Sequence, residues 1–184
     1  MDNVAPVSKR PRPLPSHPTP PDRAWYRKGI RFGCTECGAC CRREGFVWVS
    51  RPEVERLARF HGIPAAEFRS RYTREVAIEG LEERGVSLTR SGDRCVFLDD
   101  ATNRCTVYEA RPEQCAAYPF WPRAIRSRKD WARDVEAFCE PEAFTAGRLY
   151  TAPEIHAIAS RFVVAGRPVT ESGTTASGDK KGGG

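Results

Sequence analysis

Apolar residues recur every three or four positions in segment 50–62, the spacing that aligns side chains on one face of a helix. Ser50 and Glu53 stand three apart, just ahead of these apolar positions, which is the spacing of a helix-capping box. Gly62 follows them and is a typical C-terminal stop. The segment is therefore predicted to form a helix that buries Val54, Leu57 and Ala58.

Two more segments have helical patterns. A short helix over 64–72 would turn Phe68 inward. A last helix over 151–164 begins with a second capping-box spacing, between Thr151 and Glu154. Helices are thus expected on both sides of the central part of the chain.

Two further helices are predicted to carry single cysteines. Pro112 suits the first turn of a short helix that carries Cys115, and the apolar, Pro-containing stretch 118–122 then ends it. An amphipathic helix over 130–138 would deliver Cys139 at its end. Each helix would therefore present one thiol.

Short apolar runs in the middle of the chain predict strands. Segment 46–49 is typical of a short strand, and the weak alternation in 74–90 indicates either a weak hairpin or irregular strands. Runs 95–98 and 105–108 are separated by the turn-rich segment 99–104. Both runs begin with a cysteine, and a regular antiparallel hairpin would place these two sulfurs at opposite ends.

Short helices interspersed with short strands predict an α+β fold, a small irregular metal-stabilised domain over 25–165. The Pro-rich segment 1–24 suits neither a helix nor a buried strand, so it is predicted to be a disordered, basic arm. The Gly, Ser and Thr residues of 166–184 predict a disordered tail. The arm could dock on a protein partner, although a solvated tail is the commoner role of such segments.

The formal net charge of +6 resides in the ends of the chain. Residues 1–33 carry seven Lys or Arg against two Asp or Glu, whereas residues 34–164 carry 20 of each kind. A neutral body argues against nucleic-acid binding, which needs a basic face. No apolar run approaches a membrane span, and the first six residues lack the apolar region of an export signal. We therefore expect a cytoplasmic protein with neither nucleic-acid nor membrane partners.

Four cysteines fall within eight consecutive residues: Cys34, Cys37, Cys40 and Cys41. A Cys-x-x-Cys step lets a tight turn aim two thiols at one point, and zinc, copper(I) and iron–sulfur clusters select thiolates as ligands. The step occurs twice in this run. Because thiols stay reduced in the cytoplasm, a metal or redox site is favoured over a disulfide framework.

The neighbours of these cysteines fit the same chemistry. Gly38 can adopt positive φ without steric cost, so the backbone can fold closely around an ion. Arg42 and Arg43 are expected to lower thiol pKa values and to offset thiolate charge. Cys40 and Cys41 are adjacent, and since neighbouring side chains diverge, both rarely bind one ion. One of the two would serve a second metal or remain a reactive thiol.

Four thiolates saturate a tetrahedral zinc ion, and four also hold one [4Fe–4S] cluster, so both cofactors are open. The absence of histidine beside the run and the water-excluding stretch 118–122 slightly favour iron. The run resembles the start of a bacterial ferredoxin motif, but its fourth cysteine is missing at the expected offset, so a remote cysteine would complete the site. His61 could supply a fourth ligand, but a histidine at a helix end that favours the helix dipole is the commoner outcome, and His156 is interpreted as structural. The candidate metal ligands are Cys34, Cys37, Cys40, Cys41, Cys95, Cys105, Cys115 and Cys139.

The cysteine spacing resembles that of the YkgJ-type cysteine-cluster family, which is described as zinc- or iron-chelating. The hallmark Cys-x-x-Cys-x-x-Cys-Cys matches 34–41, and a Cys-x-Phe-Leu segment matches 95–98. Segment 105–115 matches Cys-x-x-Tyr-Glu-x-Arg-Pro-x-x-Cys, and 118–120 matches the aromatic-Pro-Phe continuation. Cys139 would be the late member, although Glu140-Pro141 departs from the expected Pro-Gly. The resemblance spans about 32–140 and implies metal chelation without implying a substrate.

Three functions are compatible with this pattern. The leading hypothesis is a metal-chelating protein whose metal contributes to the folding free energy. The second is a redox or methyl-transfer enzyme component, in which Cys41 is an exposed thiol whose pKa is lowered by Arg42 and Arg43. The third is an assembly factor that delivers metal to a client protein. No dinucleotide fingerprint, phosphate loop or Ser/His/Asp constellation indicates a reaction.

Overall fold

Short helices and short antiparallel strands alternate along the chain, so the predicted α+β class is confirmed. This computed structural model describes residues 20–77 and 84–165. The strands are β1 (Ile30–Phe32), β2 (Thr73–Ala77), β3 (Arg84–Leu88), β4 (Arg90–Ser91), β5 (Arg94–Cys95) and β6 (Arg148–Tyr150). The α-helices are α1 (Ala39–Arg42), α2 (Arg51–His61), α3 (Ala65–Tyr72), α4 (Glu113–Ala116), α5 (Pro122–Ile125), α6 (Arg128–Trp131), α7 (Glu142–Thr145) and α8 (Ala152–Ala165). A 3-10 turn spans Tyr108–Ala110, and a π-helical turn spans Ala132–Glu136.

The helices predicted from capping and periodicity lie where the sequence indicates. Helix α2 follows Ser50, which forms a reciprocal capping box with Glu53, and it ends at Gly62 with φ of 68°. Its Leu57 and the Phe68 of α3 are both fully buried. Helix α8 corresponds to the helix predicted near the end of the chain. Helices α2 and α8 are local in origin, since each begins at a capping box, formed by Ser50 with Glu53 and by Thr151 with Glu154.

The hairpin predicted in 74–90 is formed by β2 and β3, which pair antiparallel over their full length. Its turn lies outside the described residues. Segment 46–49, predicted as a strand, runs beside β3 and pairs through an isolated bridge that places Trp48 opposite Ser87. It therefore extends the hairpin without forming a regular strand of its own.

The pairing of β1 with β6 is not apparent in the sequence pattern. The two strands are antiparallel, with Ile30 opposite Tyr150. Their connection depends on close backbone approach, because a Cβ on Gly147 would overlap the carbonyl carbon of Phe32. This pair fixes the start of the cysteine-rich loop, since Cys34 comes two residues after β1 ends.

Two separate apolar cores flank the cysteine-rich segments. The first core joins the N-terminal part of the described chain to its C-terminal third, and its large members include Tyr26, Phe32, Phe120, Ile125, Trp131 and Ile155. The second core is built from the middle of the chain and includes Val49, Leu57, Phe68, Leu88, Phe97 and Val107. The chain passes from one core to the other in segments 33–46 and 111–117, and both segments carry cysteines.

The two terminal segments predicted to be disordered lie almost wholly outside the described residues. The predicted arm 1–24 lies outside the described residues apart from 20–24, and the predicted tail 166–184 lies wholly outside them. Ala24 is buried in the first core, so the folded body includes it. Within 20–77 and 84–165, no helix has both the length and the apolar composition that crossing a bilayer requires.

Candidate metal centre

One cavity brings together every cysteine of the chain. Its volume is ≈ 380 Å³, far more than the roughly 15 Å³ that one water-sized sphere fills. The cysteines in its lining come from five separate stretches of sequence, and they are Cys34, Cys37, Cys40, Cys41, Cys95, Cys105, Cys115 and Cys139. Thiols that are distant in sequence thus converge in space.

The first cysteine segment is a tight loop that closes at Gly38 and then begins α1. Gly38 has φ of 74°, and a Cβ there would lie 2.8 Å from Asn103 Oδ1. The Asn103 amide donates to the carbonyl oxygen of Cys37, and Arg42 donates to Asn103 Oδ1 at 2.7 Å. Glycine is therefore required where the loop meets the turn that precedes Cys105.

Cys95 and Cys105 belong to opposite arms of a short hairpin, yet both line the cavity. Cys95 ends β5, and the chain then turns before Leu98 pairs with Cys105 through an isolated bridge. Runs 95–98 and 105–108, predicted as strands, are therefore mostly turns around that bridge. Because the ladder is interrupted, the two sulfurs escape the opposite-end placement of a regular hairpin.

The helix predicted to carry Cys115 is α4. The neighbouring Gln114 anchors it, because its side-chain oxygen accepts a hydrogen bond from the backbone N–H of Trp48 at 2.9 Å. The Gln114 amide also donates to the carbonyl oxygen of Phe46 at 2.8 Å. These two bonds tie α4, and with it the backbone that presents Cys115, to the extended segment beside β3.

Cys139 follows a helix that changes its pitch. The helix predicted over 130–138 begins as α6 and continues as the π-helical turn, which corrects both its bounds and its type. The Tyr118 hydroxyl lies 3.2 Å from the Cys139 sulfur. Burial raises the pKa of Tyr118, so this hydroxyl stays protonated and can donate to the sulfur.

Arg43 ties the cysteine loop to the same helical segment. Its guanidinium lies 3.8 Å from the Asp134 carboxylate, donates to the Asp134 carbonyl oxygen and sits 4.2 Å from the centre of the Phe138 ring. Arg42, as described above, binds the amide oxygen of a neighbouring turn. Arg42 and Arg43 were expected to lower thiol pKa values, but their closest partners are Asn103 and Asp134 rather than thiols. Their role in the structure is to hold the cysteine loop in place.

Cys40 and Cys41 differ in acidity although they are adjacent on α1. A hydrogen bond from the Cys41 thiol lowers the pKa of Cys40 to about 7, and Cys40 is exposed. The same hydrogen bond, followed by burial, raises the pKa of Cys41, which is half-buried. The hypothesis that Cys41 is the exposed, activated thiol is therefore wrong. Cys40 has that character instead.

The remote thiols are less acidic than ordinary cysteines. Burial is the main cause that raises the pKa of each of them: Cys95, Cys105, Cys115 and Cys139. Arg111 acts in the opposite direction on Cys105 and Cys115. Its guanidinium lies 4.0 Å from the centre of the Tyr108 ring, and after burial Cys34 is among the groups that raise the pKa of Tyr108. Sequence reasoning missed Arg111 and Tyr108 as site residues, although both stand inside the motif 105–115.

His61 lies outside the cavity lining, in the second core. Its ring stacks on Tyr72 at 5.3 Å between centroids and also contacts Phe68 and Phe97. A ring enclosed by aromatic side chains is in keeping with a structural role.

The chemistry of the lining suits soft metal ions. Its thiols are the donors that zinc and iron–sulfur clusters select, and no histidine of 20–77 or 84–165 is among the lining residues. In the part of the chain that the structure describes, no three His, Cys, Asp or Glu side chains stand close enough together to hold an ion.

The fold and the thiol-lined cavity together define a small cysteine-rich α+β domain of the metal-chelating class. The chain belongs to the CxxCxxCC family, whose model, described as "Putative zinc- or iron-chelating domain", matches residues 33–140. The resemblance read from the cysteine spacing is thereby confirmed. No curated protein and no solved structure matches the chain. Family membership supports metal chelation, and the identity of the metal is a separate question.

Proposed function

We propose that the eight cysteines of the cavity bind zinc or an iron–sulfur cluster through their thiolates, and that the metal stabilises the fold. The convergence of all eight on one cavity carries this proposal. Cysteine also occurs in proteins as a small buried hydrophobe, and that role accounts for Cys95. It does not account for Cys34 and Cys40, which are exposed and yet lie on the same cavity.

Positive charge around the cavity supports the proposal. Thiolates that share a site accumulate negative charge, which a divalent ion or a cluster neutralises only in part. Two guanidinium groups in the lining offset part of the remainder, because Arg90 acts to lower the pKa of Cys95 and Arg111 acts to lower those of Cys105 and Cys115. Such a distribution favours thiolates over neutral thiols once metal binds.

Of the two cofactors, we favour an iron–sulfur cluster over a zinc ion. Tyr118 and Trp121 form part of an aromatic wall, and Tyr118 places a hydroxyl beside the Cys139 sulfur. Proteins set the reduction potential of such a cluster by restricting water access to it and by donating hydrogen bonds to its sulfurs. When bound, a cluster would supply one-electron redox chemistry, whereas a zinc ion would supply only a structural link.

The stabilising role follows from the layout of the fold. The two apolar cores are joined through segments 33–46 and 111–117, and these segments supply five of the eight cysteines. A metal bound by these thiols and by those of the cores would therefore link both halves. We expect the free energy of metal binding to appear as folding free energy.

The test is anaerobic purification of the full chain, followed by metal and sulfide analysis and a visible spectrum. We expect bound metal in the wild type and its loss in Cys115→Ser. Thr35→Ser is the matched control, because Thr35 also lines the cavity but offers no thiol. Iron with equal sulfide and broad visible absorption would identify a cluster, whereas zinc with a colourless protein would identify a zinc site. A folded chain that stays metal-free after incubation with both zinc and iron would overturn the proposal.

A further inference from the structure

We infer that Arg43 is a positioning residue of the metal centre, because it joins three cysteine-bearing segments and so fixes their backbones relative to one another. Arg43 directly follows α1, which carries Cys40 and Cys41. Its partners lie in the segment that precedes Cys139 and in the strand that faces Cys95. This inference rests on the proposed function and adds the residue through which the folded chain arranges its thiols.

The side chain of Arg43 reaches the helical segment that ends at Cys139. One terminal nitrogen donates to the carbonyl oxygen of Asp134, and the other lies 3.8 Å from the Asp134 carboxylate. The guanidinium also lies 4.2 Å from the centre of the Phe138 ring, which is a cation–π contact. The Cys139 amide donates to the carbonyl oxygen of Val135 at 2.9 Å, so Cys139 belongs to the same turn. Arg43 therefore links α1 to the backbone that presents Cys139.

The backbone of Arg43 reaches the other half of the protein. Its carbonyl oxygen accepts a hydrogen bond from the Arg90 guanidinium at 2.8 Å. Arg90 belongs to β4, where it stands opposite Cys95 in the antiparallel pair with β5. Cys139 packs against the first core and Cys95 is buried in the second. One residue is thus bonded to cysteine-bearing elements of both cores.

The contacts of Arg43 with Asp134 require an arginine rather than any cation. Two nitrogens of its planar guanidinium serve two different acceptors, which a single ammonium nitrogen cannot reproduce. The two side chains are only 17% and 8% exposed, so water screens this pair less than a surface pair. Asp134 keeps other partners, because Arg133 donates to both carboxylate oxygens at 2.9 Å and Arg123 lies 3.4 Å away. Loss of Arg43 therefore leaves no unpaired carboxylate and tests the link itself.

Titration of the metal-free full chain with Co²⁺ is the first test, since thiolates bind Co²⁺ as they bind zinc and the complex absorbs visible light. We expect Arg43→Met to lower the affinity by about 10- to 100-fold, the usual effect of losing a group that orients a ligand. Arg123→Met is the matched control, because Arg123 also lines the cavity and pairs with Asp134. It should bind Co²⁺ as the wild type does. Arg43→Lys keeps the charge without the planar fork, so it should recover only a minor part of the loss.

Hydrogen exchange of the metal-free chain, followed by mass spectrometry, gives a readout that does not depend on metal. Arg43→Met should raise exchange in segments 34–46, 90–95 and 134–139 together, whereas Arg123→Met should leave these three segments as in the wild type. If Arg43→Met does not fold, Phe138→Leu replaces it, because Phe138 is exposed and the change removes its ring contact with Arg43. A loss of Co²⁺ affinity is expected there too.

Three results would overturn this role of Arg43 and leave the proposed function standing. They are equal Co²⁺ affinities in Arg43→Met and Arg123→Met, full recovery by Arg43→Lys, and an unchanged affinity in Phe138→Leu. A wild-type chain that binds neither Co²⁺ nor iron would instead remove the proposed function, and this inference with it.

Discussion

The hydroxyl of Tyr118 lies 3.2 Å from the sulfur of Cys139, and burial keeps that hydroxyl protonated. Cys139 therefore has a hydrogen-bond donor of its own inside the cavity. A donor to a ligating sulfur orients the ligand and withdraws negative charge from it. At this position one group, the Cys139 thiol, would bind the metal, and a second group, the Tyr118 hydroxyl, would adjust the strength of that binding.

Tyr118→Phe removes this hydrogen bond while it keeps the aromatic ring. We expect the full metal content to remain and the affinity to fall by about 10- to 100-fold, the usual effect of losing a partner that orients a ligand. Competition with a chelator at equilibrium measures the change. Tyr72→Phe is the control, because Tyr72 lies in the second core and outside the cavity lining. Equal affinities in the two variants would show that the Tyr118 hydroxyl does not act on the site.

Gly38→Ala should disturb the cysteine loop more than the same change elsewhere. Gly38 and Gly62 have similar φ values, 74° and 68°, but a Cβ on Gly38 would lie 2.8 Å from Asn103 Oδ1, whereas one on Gly62 meets nothing within 4 Å. Gly62→Ala should therefore cost about 1–2 kcal/mol for the backbone conformation alone. Gly38→Ala should cost roughly a further 1–3 kcal/mol for the steric overlap.

Urea denaturation of the metal-loaded proteins measures both changes in the free energy of unfolding. Metal content should fall in Gly38→Ala and stay complete in Gly62→Ala, because only the first glycine lies in the cysteine loop. Equal destabilisation by the two substitutions would mean that the close approach to Asn103 is unimportant.

Asn103 should contribute through its side chain rather than through its backbone. Its φ is 57°, a conformation that glycine also adopts, and its amide donates to the carbonyl oxygen of Cys37. Asn103→Gly keeps this backbone and deletes the amide, so we expect a loss of about 1–3 kcal/mol from the unpaired carbonyl. Glu36→Gly is the matched control, since Glu36 has φ of 56° and its side chain forms an exposed ion pair with Arg104. Unfolding midpoints that shift equally in both variants would contradict the role of the amide.

In the metal-free protein, Cys40 should be the thiol that reacts at the lowest pH. Its pKa is lowered to about 7 by the hydrogen bond from Cys41, so its thiolate fraction, and with it the alkylation rate, should reach half-maximum near that pH. Cys41→Ala removes the donor and should move the half-maximum upwards towards the ordinary value. Cys41→Ser keeps a donor and should leave the half-maximum low.

The readout for this thiol is the rate of alkylation at each cysteine, followed by fragment mass spectrometry from pH 6 to about 9, which brackets the ordinary cysteine pKa. Added metal should suppress the reaction at Cys40. Faster labelling of Cys41 than of Cys40 at neutral pH would show that the hydrogen bond between them runs in the opposite direction.

The elements that can be predicted from the sequence are those specified by residues close together in the chain. Helix α2 is specified by the pairing of Ser50 with Glu53 and by a stop at Gly62, and all three lie within one short segment. The clustering of the first four cysteines is equally local. The family pattern extends this to the remote cysteines, because it matches their order and spacing along 33–140.

The rest of the site depends on contacts between distant segments. Strand β6 has three residues, too few to show a period, and its partner β1 lies more than a hundred positions earlier. The π-helical turn before Cys139 belongs to a rare class, so the amphipathic pattern of 130–138 predicts an ordinary helix there. Asn103 acts on a group far away in sequence, so no local spacing indicates its role. Tyr118 lies in the motif 118–120, but that motif does not indicate the contact of its hydroxyl with Cys139.

The division of the body into two apolar cores has a consequence for how the protein opens. Local unfolding proceeds in cooperative units, and we expect each core with its own helices to be such a unit. The linking segments 33–46 and 111–117 hold few apolar side chains, so amide hydrogens there should exchange first when metal is withdrawn. Metal occupancy would then govern whether the two units move together or apart, while each keeps its own secondary structure.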